Sequence, residues 1–328
     1  MAAWLRRHPA QWAAGTLDRS ALLSAANALS AQPGFDVAAR HFAQCWQAAY
    51  MGNPVLPSVM RNTARYLVLV ACVRMDHHRR SALNGVQITP GRLIEFLTSG
   101  GRELASVSPS RVKAIIGHAR AHGLLRSLSG PGDARQHPFE VTEKLRVAMG
   151  DWVAGFLRGI APLRPLPAAP EEMVAMPGFI GELFTYRLAA FVEDHFILSE
   201  LVPELRWIMD RERGYYLFLS LLRAMKLQAD GSAVACCVPA SLAAHAGLSR
   251  STVRNFFEGC REQGWLQPEG ANHRLRLTPA FTRASLLWIA LEFEWMDVLA
   301  RSAWEQVAVG APRLARLGQP LDKKDCPP

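Results

Sequence analysis

The sequence predicts a mainly α-helical protein with short β-hairpins, laid out as two related units in tandem. Three observations carry that prediction. Landmarks of the first half recur in order in the second. Apolar residues repeat at helical spacing behind two serine-started segments. A short alternating stretch bounded by turn residues follows each of those segments.

Pro33-Gly34-Phe35 is met again as Pro177-Gly178-Phe179, and Pro57 as Pro203, each ahead of a strongly apolar helix candidate (Leu67–Val73 and Tyr215–Leu222). Ser108-Pro109-Ser110-Arg111-Val112-Lys113 then matches Ser249-Arg250-Ser251-Thr252-Val253-Arg254. His122-Gly123-Leu124 matches Gln263-Gly264-Trp265, and Val141-Thr142 matches Leu277-Thr278. The order is kept while the separations drift by a few residues, as loops of unequal length would produce. The expected organisation is a helical arm over 1–32, a first repeat over 33–160 and a second over 177–305. Between them, 161–176 is a proline-rich linker whose prolines favour an extended chain. A mobile tail covers 306–328.

In the second repeat, Pro239 suits the first turn of a helix, and Ala243 is small where two helices cross. Gly247 fits a tight turn needing positive φ, and Ser249 can cap the next helix. Val253, Phe256, Phe257 and Cys260 fall at i, i+3, i+4 and i+7, which gives that helix one buried face. The opposite face carries Arg250, Ser251, Thr252, Arg254, Asn255 and Arg261, residue types that reach phosphates and base edges. A turn at Pro268–Asn272 and the alternating Arg274-Leu275-Arg276-Leu277 complete a hairpin with one basic face.

The first repeat is less regular. Thr89-Pro90 should start a helix through Leu93, Ile94, Phe96 and Leu97, but Gly100-Gly101 interrupts early and 102–107 is extra material. Its second helix is clear. Ser108 caps, Pro109 takes the first position, and Val112, Ile115, Ile116 and Ala119 form the buried stripe. Ser110, Arg111, Lys113, His118 and Arg120 point outward. A hairpin from Arg126 to Val141 follows, with its tip at Gly130-Pro131-Gly132 and with Arg135 and His137 on the return.

Helix, turn, helix and hairpin in this order resemble the winged helix-turn-helix domains of bacterial transcriptional regulators, MarR-like proteins among them. The resemblance is fullest over about 215–300. It implies two tandem winged helix-turn-helix domains in a pseudo-two-fold duplicated arrangement, binding double-stranded DNA through two recognition helices and their wings. A single chain would then act as a pseudo-dimer, with a homodimer left open. Because the two helices differ in sequence, the bound site should be asymmetric. A plasmid-type replication initiator and a winged-helix scaffold for protein contacts are the alternatives to a transcriptional regulator.

Charge fits a polyanionic partner. Lys and Arg number 37 against 28 Asp and Glu, a net +9. No acidic residue lies between Leu104 and Gly132, where Arg111, Lys113, Arg120 and Arg126 all fall. Over Leu248–Leu277 five arginines face Glu258, Glu262 and Glu269.

No enzyme and no cofactor are predicted. His118 and His122 have the spacing of a metal pair but no third ligand nearby. Cys236-Cys237 read as core, and Asp76-His77-His78 and Glu193-Asp194-His195 as solvated helix faces. Ser110-Arg111-Val112-Lys113 matches Ser-x-x-Lys without the companion motifs of a serine acyl-enzyme. The six cysteines have no framework spacing and read as reduced thiols. With no continuous apolar leader and no apolar run of spanning length, a cytoplasmic protein with no membrane partner is expected. The apolar segment from Phe281 to Met296 reads as core, with room for a small-molecule effector pocket between the units.

Overall fold

The computed structural model describes residues 2–12, 15–59, 61–81, 86–98, 107–128, 137–269 and 273–317. They form a mainly helical structure with two small antiparallel sheets. Both Pro-Gly-Phe segments are helix starts. Gly34 and Gly178 hold left-handed φ of 79° and 89°, which glycine adopts without a Cβ clash, and the phenylalanine that follows each is buried.

The first half runs α1 (Arg19–Ser30), α2 (Phe35–Gly52), the short α3 (Leu56–Val59), α4 (Thr63–Ser81), α5 (Pro90–Thr98) and α6 (Pro109–Ala121). A hairpin of β1 (Leu125–Ser127) and β2 (Phe139–Val141) leads to α7 (Glu143–Ile160). After α8 (Pro170–Ala175) the order returns as α9 (Phe179–Glu193), α10 (Pro203–Met209) and α11 (Gly214–Ala224). Then come β3 (Met225–Leu227), β4 (Ala233–Cys236), α12 (Pro239–Ala246), α13 (Arg250–Glu262), β5 (Leu266–Pro268), β6 (Arg274–Leu277) and the long α14 (Pro279–Leu317).

The matched landmarks make matched hydrogen bonds. Leu124 N donates to Ala119 O at 2.9 Å, and Trp265 N to Cys260 O at 2.9 Å. Thr142 N donates to Leu124 O and Thr278 N to Trp265 O, each at 3.0 Å. The halves differ in their sheets. The second builds four strands in the order β3-β4-β6-β5, whereas in the first Ile88 makes an isolated bridge to Phe139 beside the two-stranded hairpin. The β3–β4 hairpin was not anticipated, although Asp230-Gly231 at its turn is a hairpin signal, and Gly231 has φ 80°.

The halves interlock. Within the first, α2 lies along α7; within the second, α9 lies along α14. Across them, α2 packs on α11 and α9 packs on α4, so the two crossings exchange corresponding helices. Gln47 of α2 donates to Ser220 Oγ at 2.8 Å and to Tyr216 O at 3.1 Å on α11. His77 Nε2 of α4 donates to Glu182 Oε1 of α9 at 2.9 Å. Phe42 of α2 meets Phe156 of α7 and Phe293 of α14 edge to face.

Four segments depart from the sequence reading. Among the described residues of the N-terminal arm, helix is limited to a 3-10 turn at Pro9–Gln11 and to α1. Before it the chain doubles back, with Leu5 bridged to Leu17 and Trp4 stacked on Trp295 of α14, ring centroids 5.4 Å apart. The proline-rich linker is extended only in part: Pro170 opens α8, which packs on α7 and buries Met173 completely. Helix α14 continues past residue 306, where a mobile tail was expected, to Leu317; residues 318–328 lie outside the described ones. Asp76 is buried rather than solvated, because Arg79, Arg80 and Arg146 all reach its carboxylate within 3.0 Å. Asp194 likewise holds the N-terminal segment, accepting from Trp12 Nε1 and Gly15 N at 2.7 Å. Among the described residues no helix is long and apolar enough to cross a membrane.

Two outcomes check this packing. Trp4→Ala removes a ring that is 1% exposed and should cost about 3–5 kcal/mol in urea unfolding. The hydrogen bond from His77 holds the Glu182 carboxyl below its ordinary pKa, outweighing burial. Its stabilisation is therefore present above the unfolded-chain value of about 4.3 and is lost as pH falls through the depressed value. Glu182→Gln should show a shallower loss of stability over that acid interval.

Candidate nucleic-acid interface

The helix pair α12–α13 is built by local chemistry. Pro239 occupies the first turn of α12, and Gly247 closes it at φ 57°, with Leu248 N donating to Ala243 O at 2.9 Å. Ser249 Oγ accepts from Thr252 N at 3.0 Å and caps α13. Val253, Phe256, Phe257 and Cys260 are all buried. The pair α5–α6 follows the same plan. Thr89 Oγ1 accepts from Arg92 N and Ser108 Oγ from Arg111 N, both at 3.3 Å, while Val112, Ile115, Ile116 and Ala119 are buried. The turn between α5 and α6, including Gly100, Gly101, Arg102 and Ser106, lies outside the described residues.

With one face of each helix fixed inward, the other faces solvent. Ser110, Arg111 and Lys113 of α6 are exposed, as are Arg250, Ser251, Arg254, Asn255 and Arg261 of α13; Thr252 is half-buried. Ser251 Oγ lies 2.8 Å from Ser249 Oγ. Among the described residues, Arg111, Lys113, Arg250, Arg254 and Arg261 form no ion pair, although α13 also carries the exposed Glu258 and Glu262 beside its arginines. Arg111 is also close enough to Arg65 at the start of α4 to help lower its pKa, after the larger effects of burial and Arg61.

The remaining predicted contacts have structural duties. Arg126 forms an ion pair with Glu140, its direct partner across β1–β2. Arg120 donates to His137 O at 2.9 Å and lies 5.4 Å from the centroid of the Phe139 ring, fastening the hairpin return to α6. Arg276 bonds Glu269 at 3.0 Å, Asp230 at 3.1 Å and Ser232 Oγ at 2.9 Å, joining β6 to the β3–β4 turn. Arg274 is 3.6 Å from the same Glu269. Carboxylates therefore offset Arg126, Arg274 and Arg276, and the net positive field falls mainly to the helices. His118 is half-buried, its ring 4.3 Å from that of His122. Arg135 and the Gly130-Pro131-Gly132 tip lie outside the described residues.

Sequence reasoning missed a groove between the first turn of α5 and the face of α6. Thr89, Pro90 and Gly91 border it on one side, Lys113, Gly117 and Arg120 on the other, with a volume of about 510 Å³. The start of α5 brings partial positive charge there beside an ammonium group, a combination that suits a phosphate. Thr89-Pro90 signalled the helix start; nothing local signalled that Lys113 would face it.

Among the described residues no group of three or more His, Cys, Asp or Glu is placed to hold a metal ion. Burial pushes the Cys237 thiol up to about 12, which disfavours the reactive thiolate. No family model, curated protein or solved structure matches the chain.

The caps give a direct check. Ser108→Ala and Ser249→Ala should each lower stability by about 1 kcal/mol in thermal or urea unfolding, with little change in the helical circular dichroism of the native state.

Proposed function

We propose that the chain binds double-stranded DNA through α6 and α13, as a tandem winged helix-turn-helix protein of the transcriptional-regulator kind. The observation that carries this reading is the placement of Arg111, Lys113 and Arg254. All three are exposed on the outward faces of serine-capped helices, and none is ion-paired among the described residues. Exposed cations without ion-pair partners are what a phosphate backbone can use, because each neutralised phosphate releases condensed counterions. The half-buried or ion-paired Arg120, Arg126, Arg274 and Arg276 position the hairpins and contribute less charge.

The reciprocal crossings support a pseudo-two-fold reading, in which one chain supplies what a dimeric regulator assembles from two. Two recognition helices of such a protein would enter successive major grooves about 34 Å apart. They differ in sequence, with α13 carrying Glu258 and Glu262 where α6 has no acid, so the half-sites should differ too.

Selection from random duplexes, followed by salt titration of the winning site, tests the reading. Affinity should fall linearly on a log–log plot against salt. Reversing Arg111, Lys113 and Arg254 to Glu should lower affinity and flatten the slope by about 0.9 for each phosphate no longer neutralised. Weak, salt-insensitive association, unchanged by the triple reversal, would instead indicate a scaffold for protein contacts.

A further inference from the structure

Helices α12 and α13 pack most closely on each other, on α11 and on β5, all elements of the second half. Their route to the first half runs through α11, which lies on α2, and through one side chain that touches both sides. Arg213, in the turn between α10 and α11, is 8% exposed. Its Nη2 donates to Pro57 O of α3 at 2.9 Å, and its backbone N donates to Arg61 O at 2.7 Å. Its Nη1 lies against Gly247, so close that a Cβ there would sit 2.9 Å from it. Gly247 closes α12 and turns the chain into α13. The guanidinium thus meets the negative end of α12 with one nitrogen and the first half with the other.

Holding an arginine there is costly. Arg213 has φ 52°, in the left-handed region that residues other than glycine adopt under strain. Its Nε is buried without a hydrogen-bond partner, and among the described residues no carboxylate pairs with it. The turn itself is fixed. A Cβ on Gly214 would meet Ile208 O at 1.9 Å, and Gly214 N donates to Arg211 O at 3.1 Å. Glycine or asparagine at 213 would hold this backbone with less strain, so the reach of the side chain is what the position uses. Arginine carries its terminal N–H groups in a rigid fork, which lets one side chain engage two partners at once.

We propose that Arg213 is a positioning residue that pins the α12–α13 pair to the α3–α4 region of the first half, and so sets the separation of α6 and α13. Being buried, it reads no base and neutralises no phosphate; it acts through α13. With α6 and α13 as the two recognition helices, the pin fixes the spacing that the half-sites must have. That consequence rests on the DNA-binding reading; the fixed separation of the helices does not.

Two measurements on the full chain test the pin, and the first needs no DNA. Spin labels carried on a non-cysteine side chain at positions 110 and 251, both exposed, report the distance between α6 and α13 by pulsed electron paramagnetic resonance. Wild type should give one narrow distribution. Arg213→Asn, which tolerates the left-handed backbone but cannot reach Pro57, should broaden or shift it. The second measurement compares the selected duplex with one carrying two extra base pairs between its half-sites, a rotation of about 70°. The insertion should weaken wild-type binding about tenfold and that of the variant no more than about threefold, because the geometry of a paired-helix reader sets its half-site spacing. Arg213→Lys, which keeps the charge and loses the fork, should fall between them, and it decides the case if Arg213→Asn does not fold. Distances unchanged from wild type, or an unchanged spacing preference, overturn the proposal. If no duplex is selected at all, the DNA-binding reading fails, and the distance measurement alone decides the role of Arg213.

Discussion

Helices α4 and α11 each carry a central stretch that is buried on every side, and that fact governs the assembly. Leu67 through Val73 of α4 and Tyr216 through Leu222 of α11 are buried without a break. A helical stretch with no exposed face must be covered all round. Part of that cover comes from the other half in each case, α9 over α4 and α2 over α11. The exchange uses corresponding helices in both directions, so it has the form of an isologous contact within a single chain. Gln47 bonds Ser220 across one crossing and His77 bonds Glu182 across the other.

Everything outside those crossings is placed by them. Because α4 and α11 are fixed at the centre, the helix pairs that follow them are carried to the periphery, where α6 and α13 each keep one face inward and one face free. The hairpins beyond are held by pairs that cross the sheet, Arg126 with Glu140 and Arg276 with Glu269 and Asp230. Those ion pairs fix the hairpins while removing charge from them. The arginines and the lysine without ion-pair partners are left on the helices. The same crossings leave a space between the halves that is lined by rings from α2, α7 and α11.

What could be read in the sequence was the chemistry whose partners are close along the chain. The Ser108 and Ser249 caps, the Gly247 turn, and the buried stripes of α6 and α13 each depend on residues within a turn or two, and all have the expected geometry. The uninterrupted apolar runs in α4 and α11 were visible as well, but a run alone does not say which helices cover it. The unread features have distant partners. Asp76 is buried because Arg146, on another helix, joins two neighbours in pairing it. Arg126 loses its free charge to Glu140 across a hairpin, and Trp4 docks on a helix from the far end of the chain. The β3–β4 hairpin was overlooked because its strands are too short for alternation to register, with only Asp230-Gly231 to mark the turn.

Cutting the chain between Ala161 and Ala169, ahead of α8, and producing the two pieces separately and together is the most direct measurement of the central claim. If each half depends on the other to cover its apolar helix, neither piece alone will unfold cooperatively. Co-expressed, they will purify as a one-to-one complex with a single transition. Two pieces that each fold cooperatively as monomers would contradict the account.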